Sequence, residues 1–208
     1  MNPILIALVM VMVMPLFVAS WRLSLAGLAG QGLLIGWIRY QLDPHLGTAS
    51  AWIDLFDLVA VRGLAAPLAL YVVARAQWAR SRDDVLPPNL MSWALAVMFV
   101  LFAFRFADLL VPAGGTEHEL VATATAGVLL GLLVLSTQTG PFSQMIGAIR
   151  IENAIAVLEL SQRHEGDPAL RLAQTALVIG TVLMFRWYLR TLPRAAAVTS
   201  PTVAGMGP

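Results

Sequence analysis

Seven apolar runs, each near the ~20 residues that carry an α-helix across a ~30 Å hydrocarbon core, dominate this chain and set the solvent in which it folds. With Arg-bearing and Pro/Gly-bearing breaks as boundaries they cover 3–20, 23–40, 52–75, 90–111, 119–136, 142–161 and 170–189. Lipid offers no partner to backbone N–H and C=O groups, so a span must satisfy its own, and a helix does. The expected fold is therefore all-α, a polytopic membrane protein of about seven transmembrane helices. At 208 residues, 59% hydrophobic and 12% charged, the chain leaves no length for a soluble domain once these runs are assigned. One transmembrane domain over 1–190 and a mobile, Pro/Gly-bearing tail over 191–208 is the expected division.

The first run ends in small residues, as a signal peptide does, but no positive stretch precedes it, so it reads as a retained first helix. Arginine counts orient the bundle, because cytoplasmic loops hold the excess of basic residues. Arg22, Arg75, Arg80, Arg82, Arg186, Arg190 and Arg194 fall on one side, against Arg39, Arg163 and Arg171 on the other. This places the N-terminus outside and the C-terminus in the cytoplasm. Trp21, Trp37, Trp52, Trp78, Trp93 and Trp187 all fall near the ends of runs, where interfacial aromatics belong.

The residue inventory excludes whole chemistries. With no Cys there is no disulfide, thiolate metal site or cysteine nucleophile, and with no Lys there is no Schiff base. His45, His118 and His164 fall in three loops on the outer side, where solvated residues are expected rather than a metal site. Neither a metal nor a cofactor is called for. A net charge of +1 without a basic patch gives no sign of nucleic-acid binding.

The charges inside the runs need explaining, since an ionisable side chain at the bilayer centre costs about 2.5 to 3.5 kcal/mol on insertion scales. In GAIRIENAIAVLEL, Glu152 lies near the midpoint of the sixth run. Glu159 follows about 20° off the same face and ~10 Å along the axis. Arg150 is turned about 200° away from Glu152, so the two cannot pair within one helix. Arg150 is expected to be answered by an acid on a neighbouring helix or subunit, or to reach along the interface. Glu159 can meet Arg163 at i,i+4. For Glu152, a proton site and a buried structural charge are the two readings.

The third run carries AWIDLFDLVAVRGLAAPLALY, with Asp54 and Asp57 on one face and Arg62 near the middle. Pro67 frees the carbonyl of Gly63, and that pair reads either as a charged hinge on an ion path or as a packed kink. Arg105 and Asp108, three apart, are placed to neutralise each other. Arginine does not titrate. Arg62, Arg105 and Arg150, with Asp108, therefore set local fields or dock a partner, and the candidate proton carriers are Glu152, Glu159, Asp54 and Asp57.

The run GAIRIENAIAVLEL, preceded by AGVLLGLLVLS and the polar turn TQTGP, resembles the membrane subunit hydrogenase-4 component E, a family itself similar to the three-helix K subunit of respiratory complex I. VRGLAAPLALY resembles that family's third-helix pattern of a basic residue followed by a proline, with Arg62 where Lys is common. The resemblance implies a non-redox subunit of a complex-I-like, energy-converting assembly in the inner membrane of a bacterium or archaeon. It would have no catalytic centre of its own, and its partners would be antiporter-like and complex-I-like membrane subunits. It also implies a K-subunit-like three-helix unit in the C-terminal half and a proton (or sodium) path through Glu152. Where the K subunit has a second carboxylate, RLAQTALVIG offers Gln174, so Glu159 takes over or the relay is shortened. Two other functions fit the same charges: a self-standing small transporter with its site between the third and sixth helices, and a structural docking subunit.

Overall fold

In a computed structural model, residues 2–14, 20–78, 90–138, 140–162 and 167–191 are described, without side chains at 76–78. The elements are α1 (Pro3–Val13), α2 (Trp21–Leu42), α3 (Ala49–Phe56), a π-helical stretch (Asp57–Ala65), α4 (Ala66–Trp78), α5 (Leu90–Leu110), α6 (Thr116–Thr137), α7 (Pro141–Ser161) and α8 (Pro168–Thr191). The chain runs unbroken from α3 through the π stretch into α4, so the fold is all-α with seven rods and no strand among the described residues. Four rods, Ala49–Arg75, Leu90–Leu110, Thr116–Thr137 and Pro168–Thr191, are long and apolar enough to cross a membrane. α2 and α7 have comparable lengths of 22 and 21 residues, but polar groups dilute their apolar surface. The expected tail lies, beyond Thr191, outside the described residues.

The first helix is described from Pro3 to Val13, and 15–19 of its apolar run lie outside the described residues. Asn2 caps it, its side chain accepting from the Ile4 N–H at 3.0 Å, with Pro3 in the first turn. Helix α1 stops at Val13, and the N–H of Met14 closes on the Met10 carbonyl. Pro15, outside the described residues, has no N–H to give the Val11 carbonyl. Its 11 residues measure about 16 Å, roughly half a hydrocarbon core. The helix nevertheless belongs to the core, burying Leu5, Leu8 and Met12 against α2 and α6.

The expected kink at Pro67 takes the form of a widened turn before the proline. The N–H of Ala66 returns to the Val61 carbonyl, five residues back. Pro67 follows at once, and a residue without an N–H is a low-cost place for the ladder to revert to α spacing.

Small residues set the helix crossings, as they do where lipid supplies no hydrophobic drive between helices. A Cβ on Gly32 of α2 would lie 2.6 Å from the backbone N of Gly63, so α2 rides directly on the π stretch. A Cβ on Gly131 of α6 would lie 2.5 Å from Ile151 Cγ1, and one on Gly127 2.8 Å from Ala154 Cβ, which closes α6 onto α7. Helix α5 rests on α6 through Ala103 and Ala107. Helix α8 leans on α3 and α4 more than on α7, so the last three helices do not stand apart as a unit. A second apolar cluster of Leu25, Leu28, Leu70, Val73, Phe142, Ile146 and Ile149 fills the half of the bundle where α7 begins.

These contacts give a stability prediction. Gly32→Ala pushes a methyl group into the Gly63 backbone and is expected to cost about 1–3 kcal/mol in reversible micellar unfolding. Gly180→Ala, whose new Cβ meets nothing within 4 Å, is expected to be neutral or stabilising by up to about 1 kcal/mol.

Candidate functional site

The polar groups begin at the end of the bundle where α2 finishes, α3 starts and α7 passes to α8. Asp54 of α3 lies between two guanidinium groups, 3.4 Å from Arg39 Nε and 3.3 Å from Arg171 Nε. Arg39 also approaches Asp43 at 3.6 Å, and Arg171 reaches Glu159 at 3.0 Å. Gln174 Nε2 donates to Glu159 Oε1 at 2.8 Å. Glu159 is thus held by two side chains of α8, while Arg163 lies outside the described residues. Gln174, noted at sequence level for being unable to ionise, sits directly on the acid.

One level deeper, Arg62 Nε donates to Asp57 Oδ2 at 2.7 Å. Residues five apart on an α-helix point about 140° away from each other. The i→i+5 winding of the π stretch brings them onto one flank and makes this pair possible. Arg62 Nη1 also donates to Asn153 Oδ1 at 3.3 Å, which ties the π stretch to α7. Glu152 lies near the same guanidinium and is hydrogen-bonded by Thr181 of α8. Asp54, Asp57, Arg62, Glu159, Arg171 and Gln174 line a cavity of about 20 Å³ that joins the two levels, room for one water. Among the described residues, Asp57 Oδ1, Asn153 Nδ2 and Glu152 Oε2 are buried without a hydrogen-bond partner, so the surrounding space has polar atoms for water to satisfy.

The deepest charge is Arg150, 2% exposed. Among the described residues it is answered by carbonyls of a neighbouring helix rather than by an acid. Its Nη1 donates to the carbonyls of Met12 at 3.0 Å and Val11 at 3.4 Å. The last carbonyls of a helix have no intrahelical partner and form the negative end of its dipole. The early end of α1 thus supplies a half-membrane cation seat, and Arg150 fills it. Gly27 keeps the seat open, since a Cβ there would lie 2.9 Å from Arg150 Nη2. Gln31, fully buried, brings its Nε2 within 3.5 Å of the Arg150 carbonyl.

Arg105 and Asp108 stand apart from this network. Their contact is loose, at 3.8 Å, and Arg105 is 87% exposed on α5. Asp108 is held more closely by His118 Nε2, at 2.8 Å. His118 is therefore not a loop residue: it lies buried in the first turn of α6, whereas His45 is exposed and His164 falls outside the described residues. Among the described residues, no group of three or more His, Asp or Glu side chains is arranged to hold a metal ion.

Sequence reasoning found the acids and missed the groups that hold them: Arg39, Arg171, Asn153 and Thr181. Asn153 carried a signal, as an amide beside a mid-span carboxylate. Pro15 carried another, because it forbids the rung that would extend α1. Gly63 and Pro67 occupy the α2 crossing and the end of the π stretch respectively.

No family model, curated protein or solved structure matches the chain. The site must be judged on its geometry, a ladder of carboxylates, guanidinium groups and amides from one end of the bundle to its middle. Asp57→Ala is expected to cost about 3–5 kcal/mol in micellar unfolding, because it leaves Arg62 buried without a counter-charge. The double change Asp57→Leu with Arg62→Leu is expected to regain most of that loss.

Proposed function

We propose that this chain is a non-redox membrane subunit of a complex-I-like, hydrogenase-4-like energy-converting complex, in which its carboxylates form part of an ion path. The observation that carries the proposal is the gathering of Asp54, Glu159 and Asp57 around one water-sized cavity, with Glu152 near Arg62 of the same lining, inside a lipid-solvated bundle. Redox chemistry belongs to other subunits. Antiporter-like and complex-I-like membrane subunits are the proposed neighbours, in the inner membrane of a bacterium or archaeon, with the N-terminus outside.

A proton suits this path better than a sodium ion. The backbone carbonyls of a half-helix end are a familiar seat for sodium in transporters, and here that seat is taken by Arg150. The acids that remain are shared with Arg39, Arg62 and Arg171, whose guanidinium groups repel a metal cation yet leave carboxylates free to relay protons.

A self-standing transporter is less well supported. The polar ladder ends near Arg150, and the apolar cluster around Phe142, Ile146 and Ile149 closes the remaining half of the bundle. A transporter needs access to both faces of the membrane.

Glu152→Gln keeps size and hydrogen bonding but abolishes titration. It is expected to leave the complex assembled and its redox activity measurable in detergent, yet to reduce coupled ion pumping in vesicles, with Glu159→Gln acting more mildly. Full pumping by an assembled Glu152→Gln complex would transfer the assignment to a structural docking subunit. Topology reporters fused near Arg80 and after Arg194 are both expected to read cytoplasm, and a periplasmic signal at either position would reverse or break the proposed orientation.

A further inference from the structure

Arg171 draws oxygens of three helices onto one positive charge. From α8 its Nη1 reaches Glu159 Oε2 of α7 at 3.0 Å and Gln174 Oε1 at 3.4 Å, and its Nε lies 3.3 Å from Asp54 Oδ1 of α3. Oxygen ligands surround a hard cation in the same way. The Asp54 contact lacks the alignment of a hydrogen bond, so charge alone holds that carboxylate to Arg171.

The other two arginines of the ladder are placed differently. Arg39 touches Asp43 and Asp54 but does not line the cavity. Arg62 lines it, yet its Nε is taken by one carboxylate, Asp57, at 2.7 Å and its Nη1 by the Asn153 amide at 3.3 Å. Asp57 itself is 8% exposed and keeps its Oδ1 without a hydrogen-bond partner. In the cavity lining, Asp54, Asp57 and Glu159 face the guanidinium groups of Arg62 and Arg171. Deleting the Arg171 charge would set three carboxylates against one guanidinium around about 20 Å³, with Glu159, 31% exposed, as the way in. Protons or a small cation would then have to make up the difference.

We propose that Arg171 is the specificity-determining residue of the ladder: its guanidinium stands where a sodium ion would, and keeps a latent cation site closed to metal and open to protons. A proton needs one carboxylate oxygen, whereas a metal cation needs several at once, and Arg171 engages them. In the intact chain the described acids are not arranged to hold a metal ion, in keeping with oxygens drawn onto a guanidinium. The inference rests on the ion-path reading and names the residue that fixes which ion the path takes.

Arg171→Gln removes the charge and keeps a polar side chain, and Arg171→Met, which keeps an unbranched stem, replaces it if the first does not fold. Thermal unfolding of the purified full chain in detergent would be compared in sodium chloride and in choline chloride at equal ionic strength and pH. The intact chain and Arg171→Lys are expected to unfold at the same temperature in both salts. The neutral variant is expected to unfold about 3–6 °C higher in sodium when the ion stands at about ten times its Kd. Adding Asp54→Asn should abolish that shift, which a merely loosened helix would not do. Equal temperatures for the neutral variant in the two salts would overturn the proposal, as would a sodium shift in the intact chain or one that survives Asp54→Asn. Should both neutral variants fold in neither salt, Arg171 is a structural tie and the proposal falls. The readout is binding to this chain alone, so it separates from the pumping test. A sodium shift with full pumping by Glu152→Gln would keep the Arg171 assignment and reject the ion path, and no shift with lost pumping would do the reverse.

Discussion

The Asp57–Arg62 ion pair holds the interior of this bundle together, and it exists only because the backbone between its partners is wound as a π-helix. A guanidinium in lipid must be answered on several sides at once. Arg62 takes a carboxylate from its own turn, an amide from α7, and a position beside Glu152. Each contact depends on a feature of the sequence with another local purpose. Gly63 lets α2 approach at Gly32, and Pro67 gives the ladder a place to return to α spacing. The asparagine beside Glu152 turns what would be a lone charge on α7 into one end of a shared bond.

The same logic governs Arg150, with a different backbone interruption as its answer. There the carbonyls of Val11 and Met12, at the described end of α1, take the guanidinium. Arg62 is therefore seated in an irregular stretch that precedes Pro67, and Arg150 on carbonyls at the described end of α1. Irregular backbone at membrane depth is tolerated where protein groups satisfy it, so interruption and charge stabilise one another. Neither would persist in lipid without the other.

The rods were largely legible in the sequence. Runs assigned to 90–111, 142–161 and 170–189 became Leu90–Leu110, Pro141–Ser161 and Pro168–Thr191, because hydropathy and helix-breaking residues report directly on which segments need a membrane. The first run is followed from Pro3 to Val13, and its continuation over 15–19 lies outside the described residues. The acids were legible for the same reason as the rods, as charges where lipid should be. Their partners were not. Same-helix rules gave Glu159 to Arg163 and Arg105 to Asp108, whereas the closest contacts run between helices, from Arg171 to Glu159 and from His118 to Asp108. Spacing along one helix is periodic and readable; the rotation of one helix against another is set by glycine contacts that no single-helix pattern encodes.

The uneven depth of the polar network carries a consequence for transport. From Asp43 to Arg150 the described interior carries carboxylates, guanidinium groups and amides, while beyond Ile149 it is packed with Phe142, Ile146 and Leu70, all fully buried. On the proposed reading, a proton admitted at the polar end would meet no continuing line of acids toward the other face among the described residues. Arginine cannot pass it on, since a guanidinium does not give up its charge in proteins. Among the acids of the ladder, Glu152 lies nearest the middle of its helix, half-buried on α7. On the proposed reading the described path therefore ends near Glu152, and half a path is what one subunit of a laterally connected pump would need to provide.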